Sequence, residues 1–118
     1  MSVTAVRTTS VNYSGDEATA GTGISQSSTN TDAPSIGSSL VNLASGFNTI
    51  TLPTGHTVYG VTITPPSGNT TTLTLKGVTG DTGIPLHLTK ASSVSFASAT
   101  TTFGLTAGAG MSVKIAYW

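Results

Sequence analysis

Along most of this chain apolar side chains alternate with threonine or serine, a period of two that suits a strand with one buried face and does not suit an amphipathic helix. Val58 to Thr64, Thr72 to Lys76 and Met111 to Tyr117 all place Val, Ile, Leu or Tyr on one side and Thr, Ser or Lys on the other. No window shows sustained helical periodicity. The outward faces of such strands are carpeted with hydroxyls, because charged residues make up only 7% of the sequence. A free domain is usually kept apart from its neighbours by mixed lysine and glutamate, so this surface suits an assembly subunit better than a free enzyme.

At 118 residues there is room for one domain with a modest core, and a small domain leaves a large share of its apolar surface uncovered. Oligomerisation is expected to cover it. There is no cysteine, hence no disulfide framework, thiolate nucleophile or cysteine-based metal site. The start, Met1 to Arg7, has no basic region followed by an apolar one, and no stretch approaches the roughly 20 apolar residues of a membrane span. Synthesis in the cytoplasm, without a signal peptide or membrane partner, is the expectation. Arg7, Lys76, Lys90 and Lys114 are dispersed against Asp16, Glu17, Asp32 and Asp81 for a formal net charge of zero. Release of counterions from phosphates needs clustered cations, so nucleic acid is not an expected partner.

Three textures divide the chain. Residues 1 to 13 alternate loosely (Val3, Ala5, then Val11 and Tyr13), as one strand interrupted near Thr8-Thr9-Ser10. From Ser14 to Ser39 the composition is Ser, Thr, Gly and Asn, with Ile24 and Ile36 as the sizeable apolar anchors. Ordering each residue costs about 1–2 kcal/mol, so this extended polar arm is expected to find its contacts on a neighbouring subunit rather than on its own sheet. The division is therefore an N-terminal strand and arm over 1–39 and a sandwich domain over 40–118. From Leu40 onward short apolar runs separated by turn residues predict about eight strands in an antiparallel, jelly-roll-like β-sandwich, an all-β fold. Between two of them, Pro65-Pro66-Ser67-Gly68-Asn69 reads as the turn of a hairpin that returns Val58–Thr64 as Thr70–Lys76.

No motif supplies catalysis. Asp81-Thr82-Gly83 matches the tripeptide of aspartic proteases, whose chemistry needs two such loops sharing a water. Here it follows Val78-Thr79-Gly80 rather than a buried apolar strand, and it reads as a turn; the protease alternative predicts acid-optimum peptide hydrolysis lost in Asp81→Ala. His56 and His87 have no carboxylate at a metal-ligand spacing. Gly-x-Ser-x-Gly and the phosphate loop are both absent. Gly77 to Pro85 parses as three Gly-X-Y triplets, too few for a collagen helix. The triplets at Asn12 and Asn69 fit the glycosylation pattern by chance in so hydroxyl-rich a chain. The expectation is a protein with no catalytic residues, metal or cofactor.

Tyr59, Tyr117 and Trp118 are amphipathic aromatics, and the last has two placements: against the sandwich edge, or as an anchor in a subunit contact. With Ile24 and Ile36 they are the candidate subunit-contact residues. The same three rings are what a carbohydrate-binding module would use, which makes a glycan the alternative ligand.

The phrases Gly46-Phe47-Asn48-Thr49-Ile50-Thr51-Leu52-Pro53, Val61-Thr62-Ile63-Thr64-Pro65-Pro66-Ser67-Gly68-Asn69 and Leu73 to Gly83 resemble small structural proteins encoded among the virion genes of tailed bacteriophages and prophages. The likeness spans roughly residues 46 to 88 and rests on strand texture and turn phrases. It implies a virion component, foremost a capsid decoration or cement protein, with a head-fibre or minor tail protein as the alternatives. On that reading the partners are further copies of the chain, a trimer in preference, and the major capsid or other virion proteins. Strand-edge pairing and apolar burial, at about 25 cal/mol per Å², would hold the contact.

Overall fold

The computed structural model describes residues 3–12, 24–33, 38–76, 80–97 and 100–118. All regular structure among them is β: β1 Val3–Val11, β2 Ile24–Ala33, β3 Ser38–Leu43, β4 Gly46–Thr51, β5 Gly60–Thr64, β6 Leu73–Lys76, β7 Ile84–Pro85, β8 Ser92–Ser95, β9 Thr102–Ala107 and β10 Met111–Tyr117. The eight from β3 onward lie in the eight segments that the alternation marks. They form two four-stranded sheets, ordered β3-β10-β5-β8 and β4-β9-β6-β7, in which every pairing is antiparallel. The architecture is a β-sandwich.

Register decides which side chains enter the core. Val113, Ile115 and Tyr117 of β10 face inward beside Val61 and Ile63 of β5, since Ile115 lies opposite Ile63 and Tyr117 opposite Val61. From the second sheet Leu73, Phe103, Leu105, Ala107 and Ile50 close over them. Six of the inward side chains, Val61, Ile63, Leu73, Leu105, Val113 and Ile115, have lost almost all contact with solvent. Fully burying an aliphatic side chain stabilises the fold by about 1.5–3 kcal/mol, so the twofold alternation is what holds the two sheets together.

Two expectations about connectivity are corrected. The β5–β6 hairpin does not exist, because β5 pairs with β10 and β8 whereas β6 pairs with β9 and β7. The turn at Pro66–Asn69 is present, with Gly68 at φ +73° and Asn69 N–H donating to Pro66 O at 3.1 Å. It carries the chain from one sheet to the other instead of reversing it within one. Both strands have an apolar side, and across the sandwich those sides meet. From β3 to β10 every connection crosses between sheets except β6 to β7.

The second correction concerns the N-terminal region. β1 runs unbroken through Thr8-Thr9-Ser10, its one irregularity lying between Val3 and Ala5, and it pairs antiparallel with β2. The partner of the polar segment over Ile24–Ala33 is thus the chain's own β1, and the two make a separate two-stranded ribbon. Residues 14–23 and 34–37 of the expected arm lie outside the described residues.

Candidate functional site

The outer face of the β3-β10-β5-β8 sheet carries the chain's most differentiated surface, and its centre is the terminal tryptophan. Trp118 continues β10: its N–H donates to Gly60 O at 3.1 Å, and its carbonyl accepts from Gly60 N at 3.0 Å and Tyr59 N at 2.6 Å. Being one residue past inward-facing Tyr117, its side chain falls on the outer face. There the indole lies across Gly60, where a Cβ would come 2.6 Å from Cη2 and Cζ2, and its Nε1–H donates to Thr62 Oγ1 at 3.1 Å. An outward tryptophan should be wet, yet this one is 5% exposed.

The ribbon is what covers it. The Arg7 guanidinium of β1 sits 4.3 Å from the ring centroid, donating through one terminal nitrogen to Ser95 Oγ at 3.5 Å and through the other to Thr9 Oγ1 at 2.7 Å. Asn30 of β2 is 3% exposed and donates from Nδ2 to Thr57 O at 2.8 Å. Register places Ala5 opposite Asn30 and Arg7 opposite Ser28, so these four form the gripping face of the ribbon. A two-stranded ribbon is marginal by itself in water; the cation over the indole, worth about 0.5–2 kcal/mol, and the buried amide fasten it to the sandwich.

The same ribbon face continues through Thr9 and Gln26 to the pair Val11 and Ile24, which lie opposite each other. These two are 41% and 59% exposed. At the other end of the sheet's outer face, Leu40, Thr64, Pro65, Pro66, Ser112 and Lys114 line a groove of about 340 Å³. Leu40 there is 69% exposed. Across strands of this face hydroxyls pair with each other or with amides, as in Thr62 with Ser93 at 2.8 Å beside the indole and Ser112 Oγ donating to Asn42 Oδ1 at the groove.

The expected contact residues separate. Ile24 is on the ribbon and exposed, and Tyr59 is 45% exposed just before β5. Ile36 lies outside the described residues. Tyr117 and Trp118 are 6% and 5% exposed within this one chain, Tyr117 in the core and Trp118 under the ribbon. Of the two placements for Trp118, packing on its own sandwich is the one observed, because backbone pairing with Gly60 and the arginine above leave no ring face for another molecule. Arg7 and Asn30 were not legible as site residues. A lone arginine in a strand carries no mark of a stacking partner at the far terminus, and Asn30 sits in a run whose composition reads as linker.

Elsewhere the polar groups serve the fold. Asp81-Thr82-Gly83 lies in the connection between β6 and β7, preceded by Gly80 at φ +93° and ending on Gly83 at φ +70°. His87 Nδ1 accepts from the backbone N–H of Thr89 and Lys90, both at 3.1 Å. Asn69 ties its turn to the segment after β7, accepting from Thr71 N at 3.0 Å and donating to Thr71 O at 2.9 Å and Leu88 O at 2.8 Å. No three of His, Cys, Asp or Glu converge among the described residues. A cleft of about 490 Å³ beside β7 is floored by Leu75, Ile84, Phe96 and Phe103. A second of about 490 Å³ runs along Thr51–Val58. Comparison with protein-family models, curated proteins and solved structures finds no match to this chain.

Proposed function

We propose that this chain is a non-enzymatic structural subunit of a phage virion, a capsid decoration or cement protein that sits between neighbouring subunits and stabilises the particle. The reading rests on the resemblance of residues 46 to 88 to tailed-phage virion proteins. The observation that carries it furthest is the ribbon, gripped at its base by Trp118 and presenting Val11 and Ile24 to solvent beyond it. An enzyme has no evident use for such an exposed arm, whereas a clamp between subunits does. The strand orders β3-β10-β5-β8 and β4-β9-β6-β7, with crossings at nearly every connection, support a jelly roll, a fold used by viral capsid domains. Homo-oligomerisation, with a trimer in preference, belongs to the same reading, and the low charged content of 7% is what supports self-association.

Head-fibre and minor tail proteins remain the alternatives within the virion class. The carbohydrate-binding reading loses support, since two of its three aromatic rings are buried. Particles assembled with and without the protein test the proposal. Recovery of the chain at a fixed ratio to the major capsid protein, with particles that resist heating better than those lacking it, is the expected result. Failure to co-purify with any virion would overturn the proposal.

A further inference from the structure

We infer that the β1–β2 ribbon is a releasable strap: it lifts from Trp118 while the sandwich stays folded, and Arg7 is the latch that holds it shut. The inference does not depend on the reading of the chain as a virion subunit.

No backbone ladder among the described residues joins the ribbon to either sheet, since β1 and β2 pair only with each other. Apolar burial adds little, because Val6, Val11 and Ile24 are 65%, 41% and 59% exposed. Side chains therefore do the fastening. Arg7 stacks 4.3 Å from the Trp118 ring centroid and reaches Ser95 Oγ at 3.5 Å, and Asn30 Nδ2 donates to Thr57 O at 2.8 Å.

The arginine is an imperfect anchor. Its shorter hydrogen bond, 2.7 Å to Thr9 Oγ1, stays within β1 and does not bind the sheet. Its Nε is buried with no hydrogen-bond partner among the described residues. A donor buried unpaired opposes docking, which offsets part of the attraction between cation and indole and brings the open and closed forms closer in free energy.

The surface beneath is complete without the strap. Trp118 exchanges backbone hydrogen bonds with Gly60 in both directions, its ring rests on Gly60, and its Nε1–H donates to Thr62 Oγ1, which shares a hydrogen bond with Ser93. Lifting the ribbon breaks the bonds to Ser95 and Thr57, both exposed residues whose polar groups water then satisfies. The core side chains of β5 and β10 lie on the other face of the sheet and keep their contacts. A partner that engages the ribbon only when it is lifted would shift the population to the open form and uncover an indole among hydroxyls.

The single tryptophan reports on the strap directly. In the wild-type chain its emission is expected to shift to the red at a lower urea concentration than that at which circular dichroism records loss of the sandwich. Arg7→Gln removes the cation and is expected to raise the open-to-closed ratio by roughly 2- to 30-fold, the equivalent of a cation over an indole. Stronger acrylamide quenching in water and an earlier emission transition would record it, with the sandwich midpoint unmoved. Asn30→Ala is expected to act in the same direction, and Lys114→Gln, which removes an exposed cation from the same sheet, to change neither signal. Coincident emission and dichroism transitions in the wild-type chain overturn the strap. Quenching that Arg7→Gln leaves unchanged, or a sandwich midpoint that falls along with it, overturns Arg7 as the latch. Both results leave the proposed function standing, since co-purification with particles decides that separately.

Discussion

Gly60 and Gly104 lie inside strands, where glycine ordinarily weakens a sheet, and each is called for by an aromatic ring laid over it. Trp118 covers Gly60 on one outer face; on the other, the Phe47 ring covers Gly104, where a Cβ would come 2.7 Å from Cζ and 3.0 Å from Lys76 O. A methyl group at Gly60 would push both the Val94 carbonyl and the indole. Gly60→Ala is expected to cost about 2 kcal/mol, in the usual range for overpacking, and to shift tryptophan emission to the red as the ring lifts. Denaturant unfolding followed by circular dichroism and fluorescence checks both effects. Thr106 offers a change of opposite sign. Its hydroxyl is buried without a hydrogen-bond partner among the described residues, so Thr106→Val should raise stability by about 1 kcal/mol by removing an unpaired polar group. A lower midpoint in the valine variant would mean that the hydroxyl does have a partner. Nothing in the local sequence marks Gly60 or Gly104 as a place of close approach, because the ring above each is brought there by pairing of distant segments.

The ribbon and the sandwich differ in what holds them. β10 sits between β3 and β5 with its alternate side chains in the core, whereas β1 and β2 pair only with each other. Amide exchange should therefore show β10 opening only with global unfolding and β1–β2 opening at lower free energy. Equal protection of the two would indicate that the ribbon is part of the same cooperative unit. Removing residues 1–37 is expected to leave a cooperatively folding β3–β10 sandwich whose tryptophan emits at longer wavelength, its cover gone. The eight sandwich strands were legible because each carries apolar residues at period two. β2 was not: Ile24-Ser25-Gln26-Ser27-Ser28-Thr29-Asn30-Thr31 has one large apolar side chain, and a strand that buries so little is defined by its backbone ladder to β1. The ladder is a property of two segments and leaves no pattern in either.

As a whole the molecule is more extended than its length requires. Its radius of gyration is 15.8 Å, against about 13–14 Å for a compact domain of this size, as a ribbon reaching past its sheet would make it. Charged residues make up only 7% of the sequence, so self-association is expected to persist from low salt to ~1 M, where the screening length is about 3 Å. Sedimentation across that range measures it, and dissociation at high salt would show that the few charges dominate. The sequence alone was sufficient for the class and layering of the fold, since a period of two in nearly every segment after Leu40 leaves a half-buried sheet as the way to cover the apolar side. It was also sufficient to show that no cluster of catalytic residues is encoded at a recognised spacing. Pairing was decided only in three dimensions. The alternation in β5 and β6 is the same whether they share a sheet or face each other, and the choice follows from which arrangement closes the core around Ile63, Leu73, Leu105 and Ile115. The fate of Trp118 was decided there too: its ring is outward by register and dry because Arg7, from the opposite end of the chain, lies over it.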